Sequence, residues 1–319
     1  MTRPVIAVAD TAFPDRAGVE KDFGDLAELR WIDLSSPGTV GESTSRADAV
    51  VVTLQRLTAD VIMAFAPSVR VIGRAGVGLD TIDLTAARDR GIAVFNQPAY
   101  GAAEVASHAL ALLLALERRL LRADAHVRAG WHGGPDLGRI RALDDSTVGV
   151  LGAGRIGRAF VERVRPLVRA VVVYDPGPVS LPPHATRAAS VDELLGRSEM
   201  LSLHLPLTPE TRGLIGRREL GLLPPGAIVV NVSRGGLIDE DALAELLHSG
   251  HLAGAGLDVF ETEPLPATSP LLAAPNTVLT PHCASASERA AYRLSHWTIG
   301  DAIQYLETGS VTHGAIVIE

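Results

Sequence analysis

Three glycines constrain this chain more than any other feature. Gly152, Gly154 and Gly157 follow the apolar run Val148-Gly-Val-Leu151 and open the helical pattern Arg155-Ile-Gly-Arg-Ala-Phe160. In a strand–turn–helix unit each has a task. Gly152 permits the tight turn, Gly154 lets backbone approach a pyrophosphate, and Gly157 lets the helix pack close to the sheet. The helix N-terminus then presents unpaired N–H groups and positive dipole potential to the phosphates. Context gives the spacing its force. The next apolar run, Val171-Val-Val-Tyr-Asp175, ends in a carboxylate 18 residues after Gly157. Asp175 can accept hydrogen bonds from both adenosine ribose hydroxyls and would repel a 2′-phosphate, so NAD is expected over NADP.

Around this unit the chain alternates short apolar runs with helical patterns. Val5–Ala9, Ala49–Val52, Val69–Ile72 and Ile92–Phe95 read as buried parallel strands, with helical stretches at Thr58–Ala66 and Leu84–Arg90. A stretch rich in Ala and Leu from Ala102 to about Arg128 reads as one long helix, apolar around much of its surface. A second series follows: Val148–Leu151, Ala170–Tyr174, Leu201–Leu205, Ala227–Val232, Gly254–Val259 and Val278–Leu279. Ser285 to Leu306 reads as a closing helix and Gly314–Ile318 as a last strand. The expected fold class is α/β, with two Rossmann-like doubly wound parallel-sheet domains. A length of 319 residues suits two domains.

Composition excludes several partners. A net charge of −8 argues against nucleic acid and anionic membrane surfaces. The most apolar helical stretch, Ala109 to Leu116, is too short to span a bilayer, and the N-terminus lacks the pattern of a secretory signal. Cys283 is the only cysteine, so no disulfide within the chain is possible, which fits a cytoplasmic protein.

Three further segments end apolar runs in reactive side chains. Val229-Val-Asn-Val-Ser-Arg234-Gly-Gly236 aims a guanidinium at the crevice outside the strand C-termini, where it can hold a carboxylate bidentately. Gly256-Leu-Asp258-Val-Phe-Glu261-Thr-Glu263-Pro264 supplies carboxylates, and Leu279-Thr-Pro-His282-Cys283 supplies an imidazole able to act as acid or base near neutrality. A single histidine is more often structural than catalytic. His248 and His251 lie three apart without an evident third ligand, so no metal site is expected.

Together these residues resemble the D-isomer-specific 2-hydroxyacid dehydrogenases. The resemblance runs from about Val50 to Ser287 through motifs in the family's order. They are Gly73-Arg-Ala-Gly-Val-Gly-Leu-Asp80, the glycine unit with Tyr174-Asp175-Pro176, and Leu203-His-Leu-Pro-Leu-Thr208. Asn231 to Gly236, Asp258-Val-Phe with Glu263-Pro264, and Thr280-Pro-His282 complete the set.

The resemblance implies roles. Arg234 would bind the substrate carboxylate, His282 would be the acid/base and Glu263 its partner, with Glu261 the second choice. The backbone of Gly76, Val77 and Gly78 would cradle the substrate, with Arg74 or Arg56 able to meet a second anion such as phosphate or phosphonate. The implied cofactor set is Gly152, Gly154, Arg155, Ile156, Gly157, Asp175, His204, Pro206, Thr211 and Val232, with Asp258 on the nicotinamide carboxamide. The implied domains are 1–98 plus 287–319, flavodoxin-like and substrate-binding, and 99–286, NAD-binding, with the active site in the cleft between them. A homodimer through the long helix after Ala102 is also implied. Glu263 stands where the similar formate dehydrogenase branch carries glutamine. Gly73-Arg74-Ala-Gly closely resembles the phosphoglycerate branch, while the strand Val50-Val-Val-Thr-Leu lacks the arginine that branch often carries before the segment matching Gln55-Arg-Leu-Thr. The appended regulatory domain of some of its members is not expected. The expected reaction passes hydride between NAD(H) and C2 of a small anionic D-2-hydroxy or 2-oxo acid. The alternative is an NAD(H)-sensing, corepressor-like binding protein with little turnover.

Overall fold

The computed structural model describes residues 3–9, 13, 15–34, 37–134, 136–177, 179–182 and 184–319. Its strands are β1 (Val5–Ala9), β2 (Glu28–Ile32), β3 (Ala49–Val52), β4 (Val71–Arg74), β5 (Ala93–Asn96), β6 (Thr147–Leu151), β7 (Ala170–Tyr174), β8 (Ala185–Arg187), β9 (Met200–Leu203), β10 (Ala227–Asn231), β11 (Leu252–Leu257), β12 (Thr277–Leu279) and β13 (Ala315–Ile318). The chain divides into two compact units, Met1–Gly101 with Ala286–Glu319, and Ala102–Ser285.

The first unit holds a six-stranded sheet in the order β2-β1-β3-β4-β5-β13, parallel except for β13, which runs antiparallel to β5. The order reverses between β1 and β3, as in flavodoxin-like sheets. Strands β1, β3, β4 and β5 are buried along their whole length. A parallel strand covered on both faces calls for a near-continuous apolar run, broken here only at the ends of β4 and β5 by Arg74 and Asn96. Strand β2 escapes the pattern because it is an edge: Glu28 and Arg30 pair with each other at 2.7 Å, and only Ile32 is buried. The closing helix Glu288–Thr308 starts at Ser287, whose hydroxyl accepts the Ala290 amide at 2.9 Å. Its Ile299, Ala302 and Ile303 join the core of this unit.

The second unit holds seven parallel strands in the order β8-β7-β6-β9-β10-β11-β12. This is the Rossmann order, with its reversal between β6 and β9. Alternate residues feed two cores. From β10, Ile228 and Val230 enter the core under the helix Ala102–Glu117, while Ala227 and Val229 enter the core on the opposite face. Ala109, Leu112, Leu113 and Leu116 of that helix close the first of these cores. Each large aliphatic side chain so buried contributes about 1.5–3 kcal/mol.

The long helix expected from Ala102 to Arg128 is two helices, Ala102–Glu117 and Leu120–Arg128. Between them Arg119 adopts a left-handed backbone, φ 55°, which costs a residue with a side chain about 1–2 kcal/mol. Its guanidinium donates to the Ala253 carbonyl at 2.7 Å and the Arg139 carbonyl at 3.3 Å, tying the bend to β11. The second helix buries none of its residues within the chain. Among the described residues, no helix is long and apolar enough to cross a membrane.

Candidate active site

Strands β6 and β9 are neighbours at the reversal of the second unit's sheet, and their C-terminal ends shape the glycine turn. Gly152 has φ 101°, and a Cβ there would lie 2.7 Å from the His204 carbonyl carbon. A Cβ on Gly157 would lie 2.0 Å from the Gly152 oxygen, so the helix Arg155–Val164 sits as close as backbone allows. Gly154 is different: a Cβ there would meet nothing within 4 Å. Gly154 also caps that helix and has no side chain to satisfy its first amides. An open approach to the amides of Arg155, Ile156 and Gly157 is what a pyrophosphate requires.

Asp175 stands at the end of β7, beside this turn. One of its oxygens accepts the Ala153 amide at 2.6 Å and the other the Gly177 amide at 2.8 Å. The carboxylate is thereby fixed, with acceptor capacity left on both oxygens. The residues present therefore fit a dinucleotide. Past β9 the loop is pinned by Thr211, whose hydroxyl donates to the Pro206 carbonyl at 2.7 Å and accepts the Thr208 amide at 2.8 Å. Val232 follows β10 and is buried.

His204 packs against Phe160, ring centroids 5.1 Å apart, and its Nε2 lies 2.9 Å from the Ser202 hydroxyl. Its Nδ1 is buried and finds no partner among the described residues. Burial pushes the imidazole down to about 3, so it is neutral in the folded chain at ordinary pH. The unfolded chain takes up that proton first, near pH 6.5. His204 therefore leaves stability intact above pH 6.5 and removes it as pH falls from 6.5 towards 3, by up to about 1.4 kcal/mol per pH unit. Urea unfolding of wild type and His204→Phe at pH 7 and pH 5 checks this. The variant should lose less stability between the two pH values; parallel losses would assign the acid sensitivity elsewhere.

The loop after β10 carries Arg234. Asn231 braces it at both ends, accepting the Ser233 amide at 3.0 Å and donating to the Arg234 carbonyl at 2.8 Å. Arg234 donates to the Ser233 carbonyl at 2.8 Å. Gly235 lies so close to the chain after β11 that a Cβ would fall 1.8 Å from the Phe260 carbonyl carbon. This contact brings Arg234 and the Phe260–Glu263 turn together.

Glu263 is the carboxylate on His282. Its Oε2 lies 2.7 Å from His282 Nδ1, and its Oε1 accepts the Phe260 amide at 2.9 Å. Burial raises its pKa, but the His282 contact and the Phe260 amide outweigh that and hold it below the usual carboxylate range. Glu261, the alternative partner, is exposed, and its amide donates to Glu240 Oε1 at 2.6 Å. With Nδ1 taken by Glu263, Nε2 is the ring atom of His282 left for a proton transfer. Both side chains are about one-third exposed, so a small molecule can reach them.

Asp258 is fully buried and organises the same loop. Its carboxylate accepts the Thr280 hydroxyl at 2.6 Å and the amides of Cys283 and Ala284 at 2.9 and 2.8 Å. His108, Asp258 and Cys283 are the one group among the described residues with three donors near enough to share a metal ion. Three hydrogen bonds already converge on that carboxylate, so the group is a hydrogen-bond node rather than a cation cage.

In the first unit, the loop after β4 presents Gly76, Val77 and Gly78. Asn96 donates to the Val77 carbonyl at 2.6 Å, and the Gln97 amide donates to the Gly76 carbonyl at 2.9 Å. Arg74 is buried, and its guanidinium turns onto this loop, donating to the Gly78 carbonyl at 3.0 Å and to the Ala75 carbonyl. It shapes the loop from within, whereas Arg56 is exposed. Sequence reading did not single out Asn231 as a brace, nor His108, which bonds Thr280 across 172 positions of sequence. The Asn231 brace spans three residues and had a local signal; the His108 contact had none.

A glycine turn at a Rossmann reversal, a fixed carboxylate beside it and a histidine–carboxylate pair on neighbouring strand ends define the class of a dinucleotide-binding α/β protein. Residues 110–284 match the NAD-binding domain of the D-isomer specific 2-hydroxyacid dehydrogenases. The chain is 40% identical over 296 residues to D-3-phosphoglycerate dehydrogenase of Mycobacterium tuberculosis, covering 92% of this chain and 55% of that protein. It therefore spans about half the length of such relatives. It is 38% identical over 272 residues to glyoxylate reductase of Thermococcus litoralis, covering 82% and 81% of the two chains. The solved NADPH-dependent glyoxylate/hydroxypyruvate reductase of Sinorhizobium meliloti, in complex with NADP and malonate, superposes with a TM-score of 0.89 at 30% identity, over 98% and 97% of the chains. The chain belongs to the D-isomer-specific 2-hydroxyacid dehydrogenase family.

Proposed function

We propose that this chain is an NAD-dependent oxidoreductase that interconverts a small D-2-hydroxy acid and its 2-oxo acid. The observation that carries the reading is the 2.7 Å contact between His282 and Glu263 on the strand ends that also present Arg234. Arg234 holds the substrate carboxylate and draws the negative charge that develops on the carbonyl oxygen. His282 donates a proton from Nε2 to that oxygen in the reducing direction and takes it back in the other. Glu263 stabilises the imidazolium and fixes the ring. Gly76, Val77 and Gly78 are assigned the role of a carboxylate cradle, and Asp258 a contact to the nicotinamide carboxamide. The nicotinamide, when bound, supplies or accepts the hydride at C2.

Asp175 supports NAD over NADP, because a 2′-phosphate would face its fixed carboxylate. The malonate held by the S. meliloti relative supports a small anionic substrate. Of the two arginines able to read a second anion, exposed Arg56 suits a phosphate or phosphonate better than buried Arg74. Leu120, Leu121 and Val127 are each more than half exposed on the second of the two helices after Ala102, and Trp131 beyond it is 68% exposed. That surface supports a homodimer through this region. The single cysteine supports a cytoplasmic location.

The test is oxidation of NADH, and separately NADPH, against glyoxylate, hydroxypyruvate, phenylpyruvate, 3-phosphohydroxypyruvate and phosphonopyruvate. Turnover with one acid, faster with NADH and reduced in kcat/KM by about 10²–10³ in Arg234→Ala, is the expected result. Tight NADH binding without turnover of any acid would overturn the reading and favour a sensor.

A further inference from the structure

The loop that carries His282 is also held by the helix Ala102–Glu117. His108, on the helix Ala102–Glu117, places Nε2 3.0 Å from the Thr280 hydroxyl. Thr280 donates its own proton to Asp258 at 2.6 Å. A hydroxyl has one proton, so towards His108 its oxygen can only accept, and Nε2 must carry the hydrogen. The direction of the chain is thereby set: His108 to Thr280 to Asp258. At its end Asp258 gathers the amides of Cys283 and Ala284 with its side chain, while its carbonyl accepts the His282 amide at 2.8 Å. His282 itself sits at φ 52°, a left-handed backbone that residues with side chains rarely adopt. Such a turn persists only where its surroundings over-determine it.

We propose that His108 is a positioning residue: through Thr280 and Asp258 it fixes the backbone from which His282 meets Glu263 and the substrate. The proposal rests on reading His282 as the acid/base. Without the His108 hydrogen, the Thr280 oxygen loses the donor that polarises its hydroxyl, which weakens its bond to Asp258 and the hold of that carboxylate on residues 283 and 284. A catalytic group displaced by about 1 Å can lose about 10²-fold in rate.

The test uses His108→Leu, which has no donor, His108→Gln, whose amide can donate where Nε2 does, and Thr280→Val. His108→Leu should lower kcat about 10–100-fold, the loss that a displacement of up to about 1 Å in a catalytic group brings, with KM for the 2-oxo acid little changed. His108→Gln should recover most of the loss. The double variant His108→Leu/Thr280→Val should be no slower than Thr280→Val alone, because both break one chain of contacts. Nitrogen-15 NMR of the substrate-free protein should show the Nε2–H tautomer at His108, and the ring proton that His282 shares with Glu263 should shift in His108→Leu. An unchanged kcat, additive losses in the double variant, or an Nδ1–H tautomer at His108 would overturn the proposal. If the wild-type chain turns over no 2-oxo acid, the proposed reaction fails on its own, and the NMR shift still decides whether His108 sets the His282 ring.

Discussion

His282→Ala is expected to lower kcat for the 2-oxo acid by about 10²–10⁴, the span that a positioned general acid contributes. The ring is held by Glu263 through Nδ1 at 2.7 Å, so the lost group is an oriented one. Glu263→Gln should cost less than His282→Ala, since glutamine can still orient the ring while losing the charge that stabilises the imidazolium. NADH affinity should stay near wild type in both, because neither side chain belongs to the glycine turn or to Asp175. Steady-state rates alongside NADH fluorescence titration separate these effects. A His282→Ala enzyme that kept kcat within a factor of about two would remove His282 from proton transfer altogether.

Gly235→Ala should be the most damaging single-methyl change in the second unit. Its Cβ would fall 1.8 Å from the Phe260 carbonyl carbon and 2.2 Å from the Glu261 amide nitrogen, both of them backbone atoms. Backbone cannot swing aside as a flexible side chain can. A cost of about 3 kcal/mol or more is therefore expected, at the upper end for an over-packed site. The two segments forced apart carry Arg234 and Glu263, so catalysis should fail along with stability. Gly154→Ala is the contrast. Its Cβ meets nothing within 4 Å, and its φ of −68° suits any residue. That variant should unfold at the same urea concentration as wild type yet bind NADH more weakly, because the methyl enters the space a pyrophosphate needs. Equal unfolding midpoints for Gly235→Ala and wild type would contradict the packing described for the turn.

Both α/β units were legible because strands buried on both faces read as near-continuous apolar runs. Strands β1 and β3 are written that way, as are β4, β5, β6 and β10 apart from one polar residue at an end. Strand β2 was not, since an edge exposed to water tolerates Glu28 and Arg30. The break between the two helices after Ala102 was hidden for another reason. Residues 102–128 hold no proline, and Gly130 lies beyond them, so nothing local marks a stop. The bend is stabilised by the Arg119 guanidinium on carbonyls 20 and 134 residues away.

At the site, the sequence alone determined the chemistry on offer: the glycine turn, Asp175, an arginine, two acids near a proline and a histidine. These are short-range patterns whose physical reasons, a tight turn, a helix N-terminus and a strand end, operate within a few residues. Which acid meets His282 was named from the resemblance and not from the residues' own pattern, while how Arg74 turns inward on its own loop and why the His282 turn is held were decided only in three dimensions. Glu261 and Glu263 differ by two positions, and only the fold of the turn after β11 brings Glu263 onto the imidazole. The Asp258 node joins His108, Thr280, Cys283 and Ala284 across up to 176 positions. Contacts of that span leave no periodicity in the chain, because a hydrogen bond depends on distance in space and not on separation along the sequence.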